Sequence, residues 1–162
     1  MLCKRAVPNE TRRGAFPRMT ISMNLNLARQ IVDAALAKSV ELKLKPLAIA
    51  VLDTRGCLIA FAAQDGTSLM RSEVARAKGY GALALGMGSR AIFKRAQEQA
   101  FFIDAVNSLA QGAIIPVPGG VLIRDGGGAL IGALGISGDT SDNDEICAVA
   151  GIEAVSLRAD VG

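Results

Sequence analysis

The residues best suited to chemistry are one lysine and one aspartate in an otherwise small-residue context. Lys78 falls in a predicted helix beside Ala75 and Gly79. Such a lysine can hold a carboxylate, or act as a base where loss of water lowers its pKa, although a solvated helix lysine is the plainer interpretation. Asp65 precedes a glycine at a strand-to-helix junction, where an Asx turn is the alternative to substrate contact. We take Lys78 and Asp65 as candidates for catalysis and for ligand binding.

Two glycine segments and a helix start add candidates for ligand contact. Gly119 and Gly120 precede a predicted strand and Ser137 ends another, and backbone N–H groups near strand ends can bind an anion or a carbonyl oxygen. Turn geometry explains these glycines equally well. Asp144 lies in the first turn of a predicted helix, where capping and the helix dipole already account for a carboxylate. Arg71, before the middle helices, completes the set of candidate contacts.

The absence of histidine excludes several kinds of site. A Ser-His-Asp relay, a histidine-based zinc site and axial histidine ligation of haem iron all need this side chain. Cys3, Cys57 and Cys147 lack metal-ligand spacing, so we interpret them as small buried hydrophobic residues and predict no metal site. The segment 125–128, Asp-Gly-Gly-Gly, lies between two short strands without a following Lys-Ser/Thr, so it predicts a hairpin turn and not a phosphate-binding loop.

The positive charge of the chain is concentrated at its start. The net charge is +3, and the first nineteen residues contain five basic residues against one acidic residue. The near-neutral remainder and the single tyrosine argue against a nucleic-acid partner. No apolar run is long enough to span a membrane and no secretory apolar region is present, so we expect a soluble, cytoplasmic protein.

The elements that must position these residues form one predicted domain. We expect residues 1–22 to be a disordered basic tail or a misassigned start, 23–158 to be the domain, and 159–162 to be a C-terminal tail. The predicted order is a helix, a hairpin, two or three helices, a second hairpin and a last helix, with Asp142 and Glu145 spaced as a capping box. Hairpins on both sides of a helical block predict an α+β fold with helices on one antiparallel sheet.

Several short motifs resemble those of the GlcG/HbpS family, which includes the PduO C-terminal domain. The motifs in the second half are Pro118-Gly119-Gly120-Val121-x-Ile123, Ile131-Gly132-Ala133-x-Gly135-Ile136-Ser137-Gly138 and Asp144-Glu145. Those in the first half are Ala50-Val51-x-Asp53-x-x-Gly56, Asp65-Gly66 and Ala75-x-x-Lys78. The resemblance extends from about Leu25 to Leu157. There are two departures from the family pattern: Ala63-Gln64 stand where Arg-Met is common, and Leu122 stands where a proline is common.

The resemblance implies a fold, an assembly and a ligand class. The implied fold is profilin-like, a single domain with a five-stranded antiparallel sheet, and the implied assembly is a homo-oligomer, from a dimer up to an octamer. The implied ligand is a tetrapyrrole, haem or corrinoid, or a small organic acid, held near Lys78 and Gly119-Gly120. The cofactor stays open, because some haem-binding members are described with a histidine ligand that this chain lacks.

Three functional hypotheses remain open at this point. The first is a small-ligand-binding oligomer, and the second is an enzyme acting on a small carboxylate metabolite of a catabolic pathway, with Lys78 as anchor or base and Asp65 or Asp144 as its partner. The third is a structural or interaction protein whose small-residue helix faces pack subunits together. Whether the protein is catalytic is left undecided.

Overall fold

The computed structural model describes residues 21–162, in which five helices and five strands form one layered unit. The helices are α1 (Leu25–Glu41), α2 (Arg71–Leu85), α3 (Ser89–Glu98), α4 (Ala100–Leu109) and α5 (Ser141–Glu153). The strands are β1 (Ala48–Asp53), β2 (Leu58–Ala63), β3 (Gly120–Arg124), β4 (Leu130–Ser137) and β5 (Arg158–Asp160). None of these helices, within residues 21–162, is long and apolar enough to cross a bilayer.

The five strands form one sheet in the order β2-β1-β4-β3-β5, and every neighbouring pair is antiparallel. Both predicted hairpins are present, as β1–β2 and β3–β4. The central pair joins strands from the two halves of the chain, with Ala50 opposite Gly135. The α+β prediction with a five-stranded antiparallel sheet is therefore confirmed.

The two faces of the sheet are covered by different helices, as alternation along β1 illustrates. Ile49 and Val51 point into the main core, which α1 and α5 complete. Ala48 and Ala50 point to the opposite face, where they meet Ala75 of α2. Larger side chains fill the first layer, whereas the second layer depends on small residues.

Helix α2 approaches the sheet so closely that backbone meets backbone. A Cβ atom on Gly135 would collide with the carbonyl oxygen of Ala75, and one on Gly120 would collide with that of Lys78. Glycine at these strand positions is explained by close approach of another backbone. The small residues of α2 thus pack against the sheet.

The structure differs from the sequence-based predictions at one helix cap and at the C-terminal end of the chain. The N-cap of helix α5 is Thr140, whose hydroxyl accepts from the Asn143 N–H, so the predicted Asp142–Glu145 capping box is wrong. Segment 159–162 is not wholly a tail, because residues 159 and 160 belong to the three-residue strand β5, which pairs with β3. So short an edge strand has no periodic pattern to reveal it. The prediction for residues 1–22 lies, except for its last two residues, outside the described part of the chain.

Candidate functional site

Two of the predicted site residues form a buried ion pair. Lys78 of α2 places its Nζ atom 2.8 Å from Oδ2 of Asp144 of α5, and the two side chains are only 2% and 1% exposed. The second carboxylate oxygen of Asp144 accepts from the backbone N–H of Asp139 at 3.1 Å. Because α2 and α5 cover opposite faces of the sheet, the pair links the two helical layers.

Gly119 has no side chain at the point where Lys78 and Asp144 meet. A Cβ atom at Gly119 would lie 3.0 Å from both Lys78 Nζ and Asp144 Cβ. The residue also has φ +112, a backbone conformation that side-chain-bearing residues rarely adopt. The Gly119 position is therefore explained by the geometry of the ion pair and of the corner before β3.

The electrostatics of the pair reflect removal of water from both charges. Burial lowers the pKa of Lys78 and raises the pKa of Asp144, while the attraction between them opposes both shifts. The nearby guanidinium of Arg71 lowers the pKa of both groups, which adds to the shift of Lys78 and opposes the shift of Asp144. Lys78 lines none of the four cavities described for residues 21–162. With its side chain only 2% exposed, Lys78 holds its ammonium inside the protein.

Arg71 and Ser137 lie together at the rim of this buried pair. Arg71 is half-buried and donates from Nη1 to Oγ of Ser137 at 3.1 Å, and Ser137 is fully buried. No carboxylate forms an ion pair with Arg71 among the residues described. Gly120 donates its backbone N–H to Oγ of the buried Ser89 at 2.7 Å. The Gly120 N–H, predicted as an anion contact, is thus already satisfied within the protein.

A second ionic group lies beside the pair. Arg90 of α3 contacts the carboxylates of both Asp142 and Glu145 of α5, with Nε 2.8 Å from Oε1 of Glu145. The other oxygen of Glu145 is buried and has no hydrogen-bond partner in the described part of the chain. Arg90 therefore ties α3 to α5, a role for Asp142 and Glu145 that the capping interpretation missed.

Asp65 forms no hydrogen bond or ion pair with the other predicted site residues in the described part of the chain. It is exposed and lines a depression of about 520 Å³ on the α1 side, together with Leu36, Leu44 and Pro46. Within residues 21–162, no hydrogen bond or ion pair connects Asp65 to Lys78. Asp65 follows the edge strand β2, whereas Lys78 packs over β3 and β4 nearer the other edge, so the sheet holds the two residues apart.

The largest of the four cavities lies on the outer side of α2, and we call it the Tyr80 cavity. It has a volume of about 590 Å³. Its α2 wall consists of Glu73, Arg76, Ala77 and Tyr80, whose spacing of i, i+3, i+4 and i+7 puts them on one face of the helix. Its other wall is residues 109–113, at the end of α4 and in the following loop. The cavity thus combines ionic, aromatic and apolar surfaces.

The tyrosine ring in this cavity is supported from behind by a turn. A Cβ atom at Gly56, in the β1–β2 turn, would lie 3.3 Å from Cδ2 of Tyr80. The Tyr80 hydroxyl makes no hydrogen bond with any residue of the described chain, and neither does the exposed Arg76 guanidinium. The i, i+3, i+4, i+7 spacing around the single tyrosine was visible in the sequence, but the opposite wall depends on the path of α4.

Comparison with protein families gives a match over most of the chain. A family model described as haem degrading protein HbpS-like matches residues 23–153. The corrinoid adenosyltransferase PduO of Citrobacter freundii is 28% identical over 139 residues, which are 85% of this chain and 40% of PduO. The chain therefore spans well under half the length of that relative.

Solved structures of the same fold cover nearly all of the described residues. A PduOC:haem complex aligns with a TM-score of 0.78 at 24% identity, covering 86% of this chain and 99% of that one. The Klebsiella pneumoniae protein ORFY aligns with a TM-score of 0.75 at 21% identity, covering 93% and 98%. A double mutant of Streptomyces reticuli HbpS gives 0.70 at 21% identity, covering 92% and 97%. These likenesses confirm the predicted fold.

Proposed function

The chain belongs to the HbpS-like family, and we propose that it is a small-ligand-binding protein whose ligand is haem or a related tetrapyrrole held in the Tyr80 cavity. The observation that carries this proposal is a cavity of about 590 Å³ that has an unpaired cation on one wall and apolar residues on the other. Ligand pockets commonly have volumes of roughly 300–1,000 Å³ and combine apolar walls with a few polar groups. The haem-bound relative of the same fold supports the choice of ligand.

The residues present fit a flat, apolar ligand with carboxylates at its edge. Arg76 offers a guanidinium that can hold a propionate, and within residues 21–162 it has no carboxylate of its own. Leu109, on the opposite wall, is 85% exposed, and a porphyrin face would cover it. Haem, when bound, would supply redox chemistry at its iron. The residues of this chain bind the ligand at its edge and exclude water from its face.

The test is a spectroscopic titration of the full chain with haemin. We expect a shifted Soret band that saturates near one haem per chain. Replacing Arg76 by glutamine should weaken binding by up to about fivefold, the effect of roughly 1 kcal/mol for one exposed ionic contact. Arg29→Gln is the matched control, since Arg29 is an exposed arginine on α1, across the sheet. A titration without any shifted band would refute the haem proposal.

The second candidate is an enzyme or binder of a small carboxylate at the corner formed by Arg71 and Ser137. Arg71 favours it, because this half-buried guanidinium contacts only the neutral hydroxyl of Ser137 among the described residues. Lys78 would act as a base there only after separating from Asp144. A thermal-shift screen of small organic acids tests this proposal, with stabilisation by an acid that is lost in Arg71→Gln as the supporting result.

We also propose that the protein assembles as a homo-oligomer. Large apolar side chains stand exposed on the single chain, notably Leu69 at 88% and Phe101 at 77% exposure. Exposed apolar surface of this kind is typical of contact sites between proteins. Native mass spectrometry reads the subunit count directly, and a monomer at micromolar concentration would contradict the proposal.

A further inference from the structure

Few side chains of this chain can bind haem iron, because the sequence contains no histidine. Haem iron in proteins is held by histidine, cysteine, methionine or tyrosine side chains. Nine residues line the Tyr80 cavity, and Tyr80 is the one among them with such a group. Cys147 and Met23 are buried in the main core with α1 and α5, and burial raises the pKa of the Cys147 thiol to about 11. Those two sulfur groups are therefore remote from the cavity. Cys57 is exposed and follows Gly56, but it is not among the nine residues that line the cavity.

We propose that the Tyr80 oxygen would bind the iron if haem occupied the Tyr80 cavity, an inference that rests on the function proposed above. The ring packs against Gly56, whose φ of +76 and missing side chain let the turn approach it. The hydroxyl has no partner among residues 21–162. A supported ring with an unpartnered hydroxyl is the arrangement that a ligating tyrosine needs before its ligand arrives.

The charge arrangement on α2 agrees with this role. Arg76 lies one helical turn before Tyr80 on the same face, so both side chains line the same cavity and can contact one ligand. Glu73 lies one turn before Arg76, at the far end of the same wall from Tyr80. On this wall Arg76 therefore lies between Glu73 and Tyr80.

The ligation step involves no redox change. The phenolic O–H bond breaks, its proton passes to water, and the phenolate oxygen forms a bond to ferric iron. Water or hydroxide already on the iron leaves as the oxygen binds. The iron stays ferric throughout, so no electron donor or acceptor is required.

The experiment compares haemin complexes of the full chain carrying Tyr80, Tyr80→Phe and Tyr80→His. Phenylalanine keeps the ring against Gly56 and removes only the oxygen. We expect the parent complex to show a phenolate-to-iron charge-transfer band and an iron–phenolate stretch in resonance Raman spectra. Tyr80→Phe should lose both signals and bind haemin at least about tenfold more weakly, and Tyr80→His should give an imidazole-type spectrum. Cys57→Ser, which alters a ligand-type residue beside Gly56, should retain the parent spectrum.

The outcomes separate this inference from the proposed function. If the parent chain binds haemin and Tyr80→Phe gives an unchanged spectrum, the tyrosine assignment is wrong while haem binding stands. If the parent chain does not bind haemin, both proposals fail. Circular dichroism shows whether Tyr80→Phe folds. If it does not, the haemin spectrum of Tyr80→His tests the assignment. An imidazole-type spectrum supports Tyr80 as the iron ligand, and a parent-like spectrum overturns it.

Discussion

Lys78 and Asp144, 66 positions apart in the chain, meet at 2.8 Å in the interior and join α2 to α5 across the end of the sheet. The contact occurs beside Gly119, where a side chain would occupy the same space. The sequence suggests Lys78 and Asp144 as functional residues. In the single chain they form a buried ion pair that stabilises the packing of the two helices. The accessible cavity of about 590 Å³ lies instead on the outer face of α2.

Removing one partner of the pair should destabilise the fold strongly. Lys78→Met leaves the Asp144 charge buried without compensation, and we expect a loss of about 3–5 kcal/mol in the free energy of unfolding, measured by urea denaturation. The double variant Lys78→Met/Asp144→Leu should recover most of this loss. Lys94→Met, at an exposed site on α3, is the control and should stay within about 0.5 kcal/mol of the parent. A Lys78→Met protein as stable as the control would contradict the account.

A methyl group at Gly119 should disturb the pair directly. Gly119→Ala combines an unfavourable φ of +112 with close contacts to Lys78 Nζ and to the carbonyl oxygen of Ile136, at 3.0 Å and 2.9 Å from the added Cβ. We expect a loss of at least about 1–3 kcal/mol, the usual cost of a strained backbone position. Gly126→Ala, in the open β3–β4 turn with no atom nearby, is the matched control. Equal melting temperatures for the two variants would show that the Gly119 position is not restrictive.

Asp139 should account for part of the loss of stability in acid. Hydrogen bonds from Asn143, and from the backbone of Lys45 and Thr140, lower its pKa from 3.8 to about 2. Between these values the unfolded chain binds more protons than the folded chain, so this contribution is present above pH 3.8 and is lost as pH falls toward 2. The stability difference between the parent and Asp139→Asn should therefore shrink over that range. A difference independent of pH would count against a charged Asp139 at this junction.

Asp65 should be dispensable for haem binding. It lines the depression beside α1 and not the Tyr80 cavity, so Asp65→Asn should leave the dissociation constant for haemin within about twofold of the parent. The dissociation constant of Arg76→Gln, measured in the same titration, shows the loss of affinity expected from a residue of the Tyr80 cavity. A larger loss of affinity from Asp65→Asn than from Arg76→Gln would move the proposed site to the other side of the sheet.

The elements could be predicted because their signals are local. Alternating and apolar runs with glycine turns defined both hairpins, and helical spacing defined α1. The central pairing of β1 with β4 has no local signal, since it joins segments about 80 residues apart, and it was not predicted. The resemblance to a known family supplied only the five-stranded antiparallel sheet. Thr140 was missed as a cap because acidic residues nearby fitted the same role.

The candidate site was predictable only in part, for a similar reason. Spacing could place Lys78 and Asp144 on helices but could not show that the two helices lie on opposite faces of the sheet and meet at Gly119. The role of Arg90 depends on how α3 lies against α5, and the outer wall of the Tyr80 cavity depends on where α4 ends. These are relations between elements, which no short pattern encodes.

Native mass spectrometry of the purified full chain, with and without haemin, tests the central claim most directly. It measures the subunit count and the bound mass in the same spectrum. We expect an assembly of more than one chain that gains one haem mass per chain when haemin is added. An assembly or monomer whose mass is unchanged by excess haemin would contradict haem as the ligand and would leave the Arg71 corner as the remaining candidate site.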